Sequence, residues 1–279
     1  MCADVTANDA SDEWFRDSSM PWWGLLAKRI LQVLDWCREL GAKEVTIYAF
    51  STENFQRDKD EVSGLMKMAE TKFLKLLEQK DKLVERGICF RFFGDMSLLP
   101  ERIQELTAKI ESLTSKMTNG YVNVCLAYTS QNEIARAMEW IRLGVQSRLL
   151  TEKDIDSQLI SSCLDSRHSL PVDLLIRTSG EHRLSDFLLW QCSNCYIYFE
   201  NVLWPDMSFW HLFKAIVGFQ RNRSFSIKLN SALKENCVRK NTTLNDERVA
   251  KFLCWMDEEC EKQRSKRMEK IFTENKIVC

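Results

Sequence analysis

The sequence predicts an α/β fold: a single domain with a mostly parallel central sheet flanked by helices, followed by a helical C-terminal extension. Short apolar segments rich in β-branched and aromatic residues alternate with longer amphipathic segments along the chain. That alternation is typical of parallel strands joined by helical crossovers. The chain also has only nine glycines and four prolines among 279 residues, which disfavours turn-rich all-β folds.

The predicted elements follow one another from the first helical face. Leu26, Ile30, Val33, Cys37 and Leu40 share one face of a helix that Gly41 is placed to end. Apolar, β-rich segments predict strands at residues 45–50, 88–93, 121–128, 172–176 and 196–199. Helical periodicity predicts helices at residues 60–86, after Pro100, at 131–147 and at 151–164. We therefore expect a poorly ordered leader (1–23), the α/β domain (24–222) and the helical extension (223–279).

Composition excludes several classes of protein. The formal net charge is −1, and apolar runs are shorter than the roughly 18 residues that a membrane-spanning helix needs. The acidic N-terminal sequence lacks the features of a secretory signal, and eleven scattered cysteines favour reduced thiols over a disulfide framework. Residues 221–279 carry 14 basic and 9 acidic side chains, which suits a solvated helix face about as well as a nucleic-acid-binding surface.

Polar residues with phosphate-binding chemistry follow two of the predicted strands. Residues 51–57 come after the first strand, and residues 177–186 after the fourth. The second segment holds two arginines, three hydroxyl side chains and a glycine. Guanidinium groups bind phosphate oxygens, and the carboxyl ends of parallel strands meet at one edge of a sheet. A site for a phosphorylated ligand is therefore predicted; the alternative is an exposed polar loop in which Glu181 pairs with an arginine.

Three longer blocks make a family resemblance specific. Residues 50–57, 177–191 and 202–206 resemble, in order and spacing, the signature blocks of the cis-prenyltransferases. Within that family the chain is most similar to the eukaryotic dehydrodolichyl diphosphate synthase type. The family condenses isopentenyl diphosphate repeatedly onto an allylic diphosphate, typically farnesyl diphosphate, with Mg²⁺. The resemblance therefore implies a transferase that makes a long polyprenyl diphosphate for dolichol synthesis.

The resemblance also implies roles for individual residues. Arg177, Arg183 and Ser185 fall on positions that hold isopentenyl diphosphate, and Arg57 falls on another diphosphate-contacting position. Asn54 matches a residue implicated in removing the proton lost in each condensation. The neighbouring residues in the same block are expected to lie beside the substrate: Ser51, Thr52, Glu53 and Phe55, the last replacing a more usual tryptophan. Apolar residues are expected to line a product tunnel or to form plain core: Leu65, Met66, Ala69, Phe73, Phe90, Phe92 and Leu126.

The sequence departs from the family pattern at three places. It has no Asp-Gly-Asn-Arg-Arg block, the block whose aspartate anchors Mg²⁺, so we expect no metal ligand and an empty slot where the first strand should lie. Tyr196 stands where bacterial relatives carry a metal-binding glutamate. The Arg-x-Gly motif is missing near the end of the domain, which implies a heteromer with a partner resembling the Nogo-B receptor, a homodimer being the other possibility.

These observations define three hypotheses. The first is a catalytic-type cis-prenyltransferase subunit with impaired activity, either as a biological variant or because the gene model is shortened. The second is a non-catalytic binding or regulatory subunit of the same complex. The third, a nucleic-acid binder, is disfavoured. The resemblance implies peripheral association with the cytosolic face of the endoplasmic reticulum membrane, without a transmembrane segment.

Overall fold

Six parallel strands form one sheet. The computed structural model describes residues 2–4, 32–236 and 243–274. In chain order the strands are β1 Cys2–Asp4, β2 Glu44–Tyr48, β3 Ile88–Phe93, β4 Gly120–Cys125, β5 Leu174–Arg177 and β6 Tyr196–Phe199. They lie in the spatial order β3-β4-β2-β1-β5-β6, and each neighbouring pair is parallel. The predicted α/β class with a parallel sheet is confirmed.

The strand β1 fills the slot that was expected to be empty. It pairs with β2 on one side and β5 on the other, so that Asp4 lies in register with Tyr48 and with Arg177. The expectation of an absent first strand was therefore wrong. Residues 5–23 of the predicted leader lie outside the described residues, as do Leu26 and Ile30 of the first helical face.

Helices alternate with the strands. Helix α1 is described over residues 32–39. The others are α2 Lys59–Glu78, α3 Lys80–Arg86, α4 Glu101–Thr114, α5 Ser130–Gln146, α6 Ser157–Cys163, α7 Phe209–Asn236 and α8 Thr243–Glu274. Helix α7 continues through residue 222, so no break in secondary structure marks the predicted domain boundary there.

Two predicted helices are divided in the structure. The predicted helix at 60–86 breaks at Gln79, whose backbone leaves the helical region (φ −94°, ψ 27°), and α3 then ends at Gly87 with φ 65°. The predicted helix at 151–164 is a short 3₁₀ helix, Glu152–Asp154, followed by α6. Thr151 and Asp154 do form the predicted capping box, but Asp156 caps a new helix two residues later.

The two faces of the sheet pack against different partners. On one face Val45, Ile47 and Ile176 pack against α1 and α7 through Val33 and Leu212. On the other face Tyr48, Cys125 and Leu175 pack against Phe187 and Leu188, which belong to the long loop after β5. Because side chains alternate along a strand, Arg177 projects from the same face as Leu175. The core therefore places the end of β5 beneath that loop.

The C-terminal helix α8 docks on α4, α5 and α6. Phe252 and Met256 are fully buried with Ala137 and Ile141, and Arg248 forms an ion pair with Asp154 at 2.8 Å. The hydrogen bond from Arg248 is the largest cause that lowers the pKa of Asp154, to about 2. Helix α8 is thus part of the packed molecule.

Replacing two glycines in helix interiors by alanine should change the free energy of unfolding in opposite directions. A Cβ at Gly144 in α5 would lie 2.5 Å from the ring of Phe252, whereas one at Gly64 in α2 would meet nothing within 4 Å. We expect Gly144→Ala to lower the free energy of unfolding by about 1–3 kcal/mol through overpacking. Gly64→Ala should raise it by about 0.5–1 kcal/mol, because alanine loses less entropy in a helix. Urea unfolding followed by circular dichroism measures both, and stabilisation by both variants would contradict the docking of α8.

Candidate functional site

The two polar segments predicted as the site lie at the carboxyl edge of the sheet. One follows β2 and the other follows β5, and the short strand β1 lies between them. The Tyr48 hydroxyl at the end of β2 donates hydrogen bonds to the carbonyl oxygens of Tyr128 (3.0 Å) and Ser185 (3.3 Å). One side chain thus joins the end of β2, the end of β4 and the loop after β5.

The first segment folds as a 3₁₀ helix, Thr52–Gln56. Ser51 caps it: the Ser51 Oγ accepts a hydrogen bond from the Glu53 N–H at 3.1 Å. The Asn54 Oδ1 accepts one from the Ser51 N–H at 2.8 Å, which completes a capping box. Asn54 is buried, Thr52 is half-buried and Glu53 is exposed. The fold therefore fixes the Asn54 amide at the sheet edge.

Two further predicted residues, Phe55 and Arg57, lie between the start of that segment and α2. Phe55 packs edge-on against Phe50, with ring centroids 4.9 Å apart. Arg57 donates from Nη1 to Glu61 Oε1 at 2.6 Å. The guanidinium of Arg57 is partly exposed at the start of α2, where an anionic ligand would compete with Glu61 for it.

Arg177 is the buried cation of the site. Its residue is only 2% exposed at the end of β5, and its Nη2 lies 3.5 Å from the Ser185 Oγ. Arg183 differs, because its side chain is 61% exposed and its Nε pairs with Glu181 Oε2 at 3.1 Å. The structure brings Arg177 and Ser185 together, while Arg183 forms the surface ion pair that was considered as the alternative.

The loop after β5 holds unusual backbone conformations. Ser179, Ser185, Asp186 and Leu188 have φ values of 71°, 47°, 56° and 47°. Left-handed conformations at residues other than glycine cost about 1–3 kcal/mol each and persist only where surrounding contacts hold them. Such strain is typical of functional sites. The loop that carries three of the predicted diphosphate contacts is also the one that carries this strain.

Comparisons with known proteins identify the family of this chain. The family model of undecaprenyl diphosphate synthases matches residues 24–226, well over half of the chain. The chain belongs to that family, the cis-prenyltransferases.

Several cis-prenyltransferases are similar over most of the chain. The dehydrodolichyl diphosphate synthase complex subunit DHDDS of Homo sapiens is 49% identical over 196 residues, 70% of this chain and 59% of the human one. The tritrans,polycis-undecaprenyl-diphosphate synthase (geranylgeranyl-diphosphate specific) of Pyrococcus horikoshii is 37% identical over 221 residues, 78% of this chain and 83% of the archaeal one. The chain therefore spans about three fifths of the length of its human relative.

A solved cis-prenyltransferase structure confirms the fold. The crystal structure of lavandulyl diphosphate synthase from Lavandula x intermedia, in complex with dimethylallyl diphosphate, superposes with a TM-score of 0.70 at 28% identity. The match covers 78% of this chain and 93% of that one. The parallel sheet and its flanking helices are thus those of the family.

Sequence reasoning missed the buried network behind the loop. Glu133 in α5 is 1% exposed, and it accepts hydrogen bonds from the Tyr128 hydroxyl at 2.5 Å and from Gln191 Nε2 at 2.8 Å. Burial is the largest cause that raises the pKa of Glu133, and the negative charge of Asp165 raises it further. A signal existed: Tyr128, Thr129 and Ser130 follow a third strand that ends at the same edge.

A cleft of about 590 Å³ lies beside the 3₁₀ helix, between α2 and the start of α4, and its lining is mostly apolar but includes Lys59, Lys67 and Glu70. Phe55, Val62 and Met66 line it from one side, and Leu99 and Ile103 line it from the other. Six of the seven predicted tunnel residues belong to the core cluster that borders this cleft: Leu65, Met66, Ala69, Phe73, Phe92 and Leu126. Phe90 instead packs with the cluster under α1 and α7. The tunnel itself stays a prediction.

The described residues do not supply a metal centre. In residues 2–4, 32–236 and 243–274, no group of three or more His, Cys, Asp or Glu side chains is arranged to hold an ion. Asp9, Asp12 and Asp17 lie outside these ranges. We derive no step through the Mg²⁺ that the family resemblance implies. Within the same ranges, no helix is long and apolar enough to cross a membrane.

The buried network allows a matched test of its contribution to stability. Tyr128→Phe removes the hydroxyl that donates to the buried Glu133 carboxylate, which should lower the free energy of unfolding by about 1–3 kcal/mol. In the control Tyr198→Phe, the lost hydroxyl contacts a partly exposed Glu200 at 3.4 Å, so the change should be under about 0.5 kcal/mol. Urea unfolding measures the stability of both variants. If they lose the same free energy of unfolding, the buried hydrogen bond from Tyr128 to Glu133 contributes no more than the exposed one.

Proposed function

We propose that this chain is a cis-prenyltransferase subunit that binds isopentenyl diphosphate at the loop after β5. The observation that carries the proposal is the buried guanidinium of Arg177, which lies beside Ser185 at the carboxyl edge of the sheet. A buried guanidinium presents a fixed fork of donors that matches diphosphate oxygens, and a low-dielectric setting strengthens that contact. The family relationship supplies the substrate class.

Arg183 and Arg57 would complete the diphosphate contacts from the rim. Both are partly exposed and both are held by one carboxylate, Glu181 and Glu61 respectively. Surface ion pairs are worth about 0–1 kcal/mol, so a diphosphate can displace either carboxylate at little cost. Binding would then convert two surface ion pairs into charge-assisted phosphate contacts.

The proposed reaction forms one carbon–carbon bond in each cycle. The allylic carbon–oxygen bond to diphosphate breaks, the double bond of isopentenyl diphosphate attacks the allylic carbon, and a proton leaves the adjacent carbon. Asn54, whose Oδ1 accepts a hydrogen bond from the Ser51 N–H, would lie beside this position. Because an amide is too weakly basic to take up the proton itself, Asn54 would act by orienting the diphosphate that does so.

The growing product is apolar and needs an apolar path. Each buried methylene is worth about 0.8 kcal/mol, so the cleft between α2 and α4 would stabilise a lengthening polyprenyl chain. Its end nearest the site is formed by Phe55, next to Asn54. We therefore place the start of the product tunnel at Phe55, for a long polyprenyl product of the dehydrodolichyl type.

A partner subunit is part of the proposal. Several large apolar side chains are exposed near the edge strand β6, namely Phe199, Leu203, Trp210 and Phe213, and Trp210 is 66% exposed. Exposed apolar side chains of this size are typical of association surfaces. The missing Arg-x-Gly motif favours a partner resembling the Nogo-B receptor, with a second copy of this chain as the alternative. Such a complex, with its lipid product, would place the chain on the cytosolic face of the endoplasmic reticulum membrane.

One observation favours the second hypothesis, a non-catalytic binding or regulatory subunit. The loop after β5 has the side chains proposed to bind diphosphate. In contrast, the described residues contain no cluster of metal-ligating side chains, and the sequence lacks the Asp-Gly-Asn-Arg-Arg block. Although Asp4 ends β1, Val5, Thr6 and Ala7 follow it in place of that block. A chain of this kind would bind the acceptor diphosphate and transfer little.

Loss of binding in an exposed arginine variant tests the proposed site without risking the fold. Arg183→Ala should weaken the binding of isopentenyl diphosphate by about 2–4 kcal/mol, and Arg177→Ala should do the same, because each removes a charge-assisted contact. Calorimetry measures the affinity. The control Arg142→Ala removes a similarly exposed arginine that pairs with Glu139 at 2.7 Å, and it should change nothing. Wild-type affinity in Arg183→Ala would remove Arg183 from the site.

An activity assay separates the catalytic from the regulatory hypothesis. With the partner subunit, farnesyl diphosphate and Mg²⁺ present, we expect this chain to incorporate little labelled isopentenyl diphosphate into polyprenyl product. Robust incorporation would contradict the expected impairment. In that case Asp4→Ala, which removes the carboxylate at the end of β1, would show whether the activity depends on it.

A further inference from the structure

The loop after β5 is hydrogen-bonded to the first turn of α5. The Gln131 N–H donates to both carboxylate oxygens of Asp186, each at 3.3 Å, and the Ser130 N–H donates to the Asp186 carbonyl at 2.7 Å. The Ser130 Oγ in turn accepts from the Leu189 N–H at 2.8 Å. Asp186 is therefore attached to α5 through both its side chain and its backbone.

This attachment holds two adjacent residues in a costly conformation. Ser185 and Asp186 have φ values of 47° and 56°, both in the left-handed region. Without the attachment, the cost of about 1–3 kcal/mol at each residue would favour a return to extended or helical backbone. That return would turn the Ser185 side chain away from its present position.

The attachment of Asp186 to α5 fixes the position of Ser185 relative to Arg177 and Tyr48. Its Oγ lies 3.5 Å from Arg177 Nη2, and its carbonyl accepts from the Tyr48 hydroxyl at 3.3 Å. On the other side of Asp186, the Phe187 ring stacks on Tyr48 with centroids 4.6 Å apart. The hydrogen bonds to α5 and the packing on β2 act on the same few residues, so the geometry of Arg177 and Ser185 depends on them.

The acceptor geometry of Asp186 matters more than its charge. Burial raises the pKa of Asp186, and the negative charge of Glu53 raises it further, while hydrogen bonds from the Gln131 N–H and the Thr129 side chain oppose both. The surroundings taken together therefore disfavour the ionised carboxylate. An asparagine offers an oxygen to the same N–H and tolerates left-handed backbone better than most residues.

We propose that Asp186 is a positioning residue for diphosphate binding, which touches no substrate and acts by fixing Ser185 and Arg177. The inference rests on the proposed function, because the diphosphate is the ligand of that same site. It predicts that an oxygen acceptor at position 186 is required and that a negative charge is not.

Three variants of the full chain test this role. Asp186→Ala removes the acceptor, Asp186→Asn keeps it, and Asp156→Ala is the matched control. Asp156 also caps a helix, accepting from the Gln158 N–H at 3.0 Å and the Leu159 N–H at 2.9 Å, but the helix that it caps is α6 and not α5. Its loss should cost about 1 kcal/mol of stability without touching the site.

Two readouts are measured on each variant. Amide hydrogen exchange over residues 177–191 reports the order of the loop, and calorimetry with isopentenyl diphosphate reports binding. Asp186→Ala should speed exchange in the loop and weaken binding by about tenfold or more, as expected for a misplaced binding group. In the partner complex, any residual transfer should show a raised KM for isopentenyl diphosphate with kcat changed less than about threefold. Asp186→Asn should behave as wild type in every readout.

Any other result contradicts a specific part of the proposal. If wild type binds isopentenyl diphosphate and Asp186→Ala binds it equally well, Asp186 does not position the site. If Asp186→Asn fails as badly as Asp186→Ala, the charge is what matters and the inference is wrong. If Asp156→Ala weakens binding as much, the effect is general destabilisation. If wild type does not bind the diphosphate, the proposed function fails, and the positioning role fails with it.

Discussion

Burial of a guanidinium at the end of β5 is the constraint on which the site depends. A charged group taken out of water is tolerated only where polar groups or a ligand compensate for its lost hydration. Here the chain brings the Ser185 hydroxyl to Arg177, and the loop that does so has left-handed backbone at four residues other than glycine. The strain of the loop and the burial of the cation are therefore parts of one arrangement, which we propose is a preformed site for an anion at the sheet edge.

Strand order determines which groups can reach that anion. Strands β2 and β5 both flank β1, so their carboxyl ends lie one strand apart. The period of two along β5 directs Leu175 and Arg177 to the face covered by Phe187 and Leu188. Tyr48 at the end of β2 occupies the same face and reaches the Ser185 carbonyl. The segment that carries Asn54 and the loop that carries Ser185 are thus held at a fixed separation by the sheet.

Local signals predicted most of the fold, and long-range contacts account for what they missed. The strands Ile88–Phe93 and Tyr196–Phe199 were predicted at their observed bounds because each is a continuous run of β-forming side chains. Strand β1 was not predicted, since Cys-Ala-Asp has little β preference and pairs only because two neighbours flank it. Arg177 and Ser185 could be assigned from the family blocks. Asp186 could not, because its partner Gln131 lies 55 residues earlier in the sequence.

The proposed site has two parts, the residues that would bind isopentenyl diphosphate and the block that anchors the metal in the family. The distinction between them is relevant to the kind of subunit that this chain is. The hydrogen bonds from Tyr48 to Ser185, from Arg177 to Ser185 and from Ser51 to Asn54 all join residues after position 43, whereas β1 contributes its backbone pairing beside Arg177. The family's metal-anchoring block belongs to the other part, at the end of the first strand, where this sequence reads Asp4 followed by Val5. In the proposed function, binding of isopentenyl diphosphate would need only the first part. Loss of the allylic diphosphate would also need the second part, because negative charge develops there. The proposal therefore treats substrate binding and prenyl transfer as separable activities.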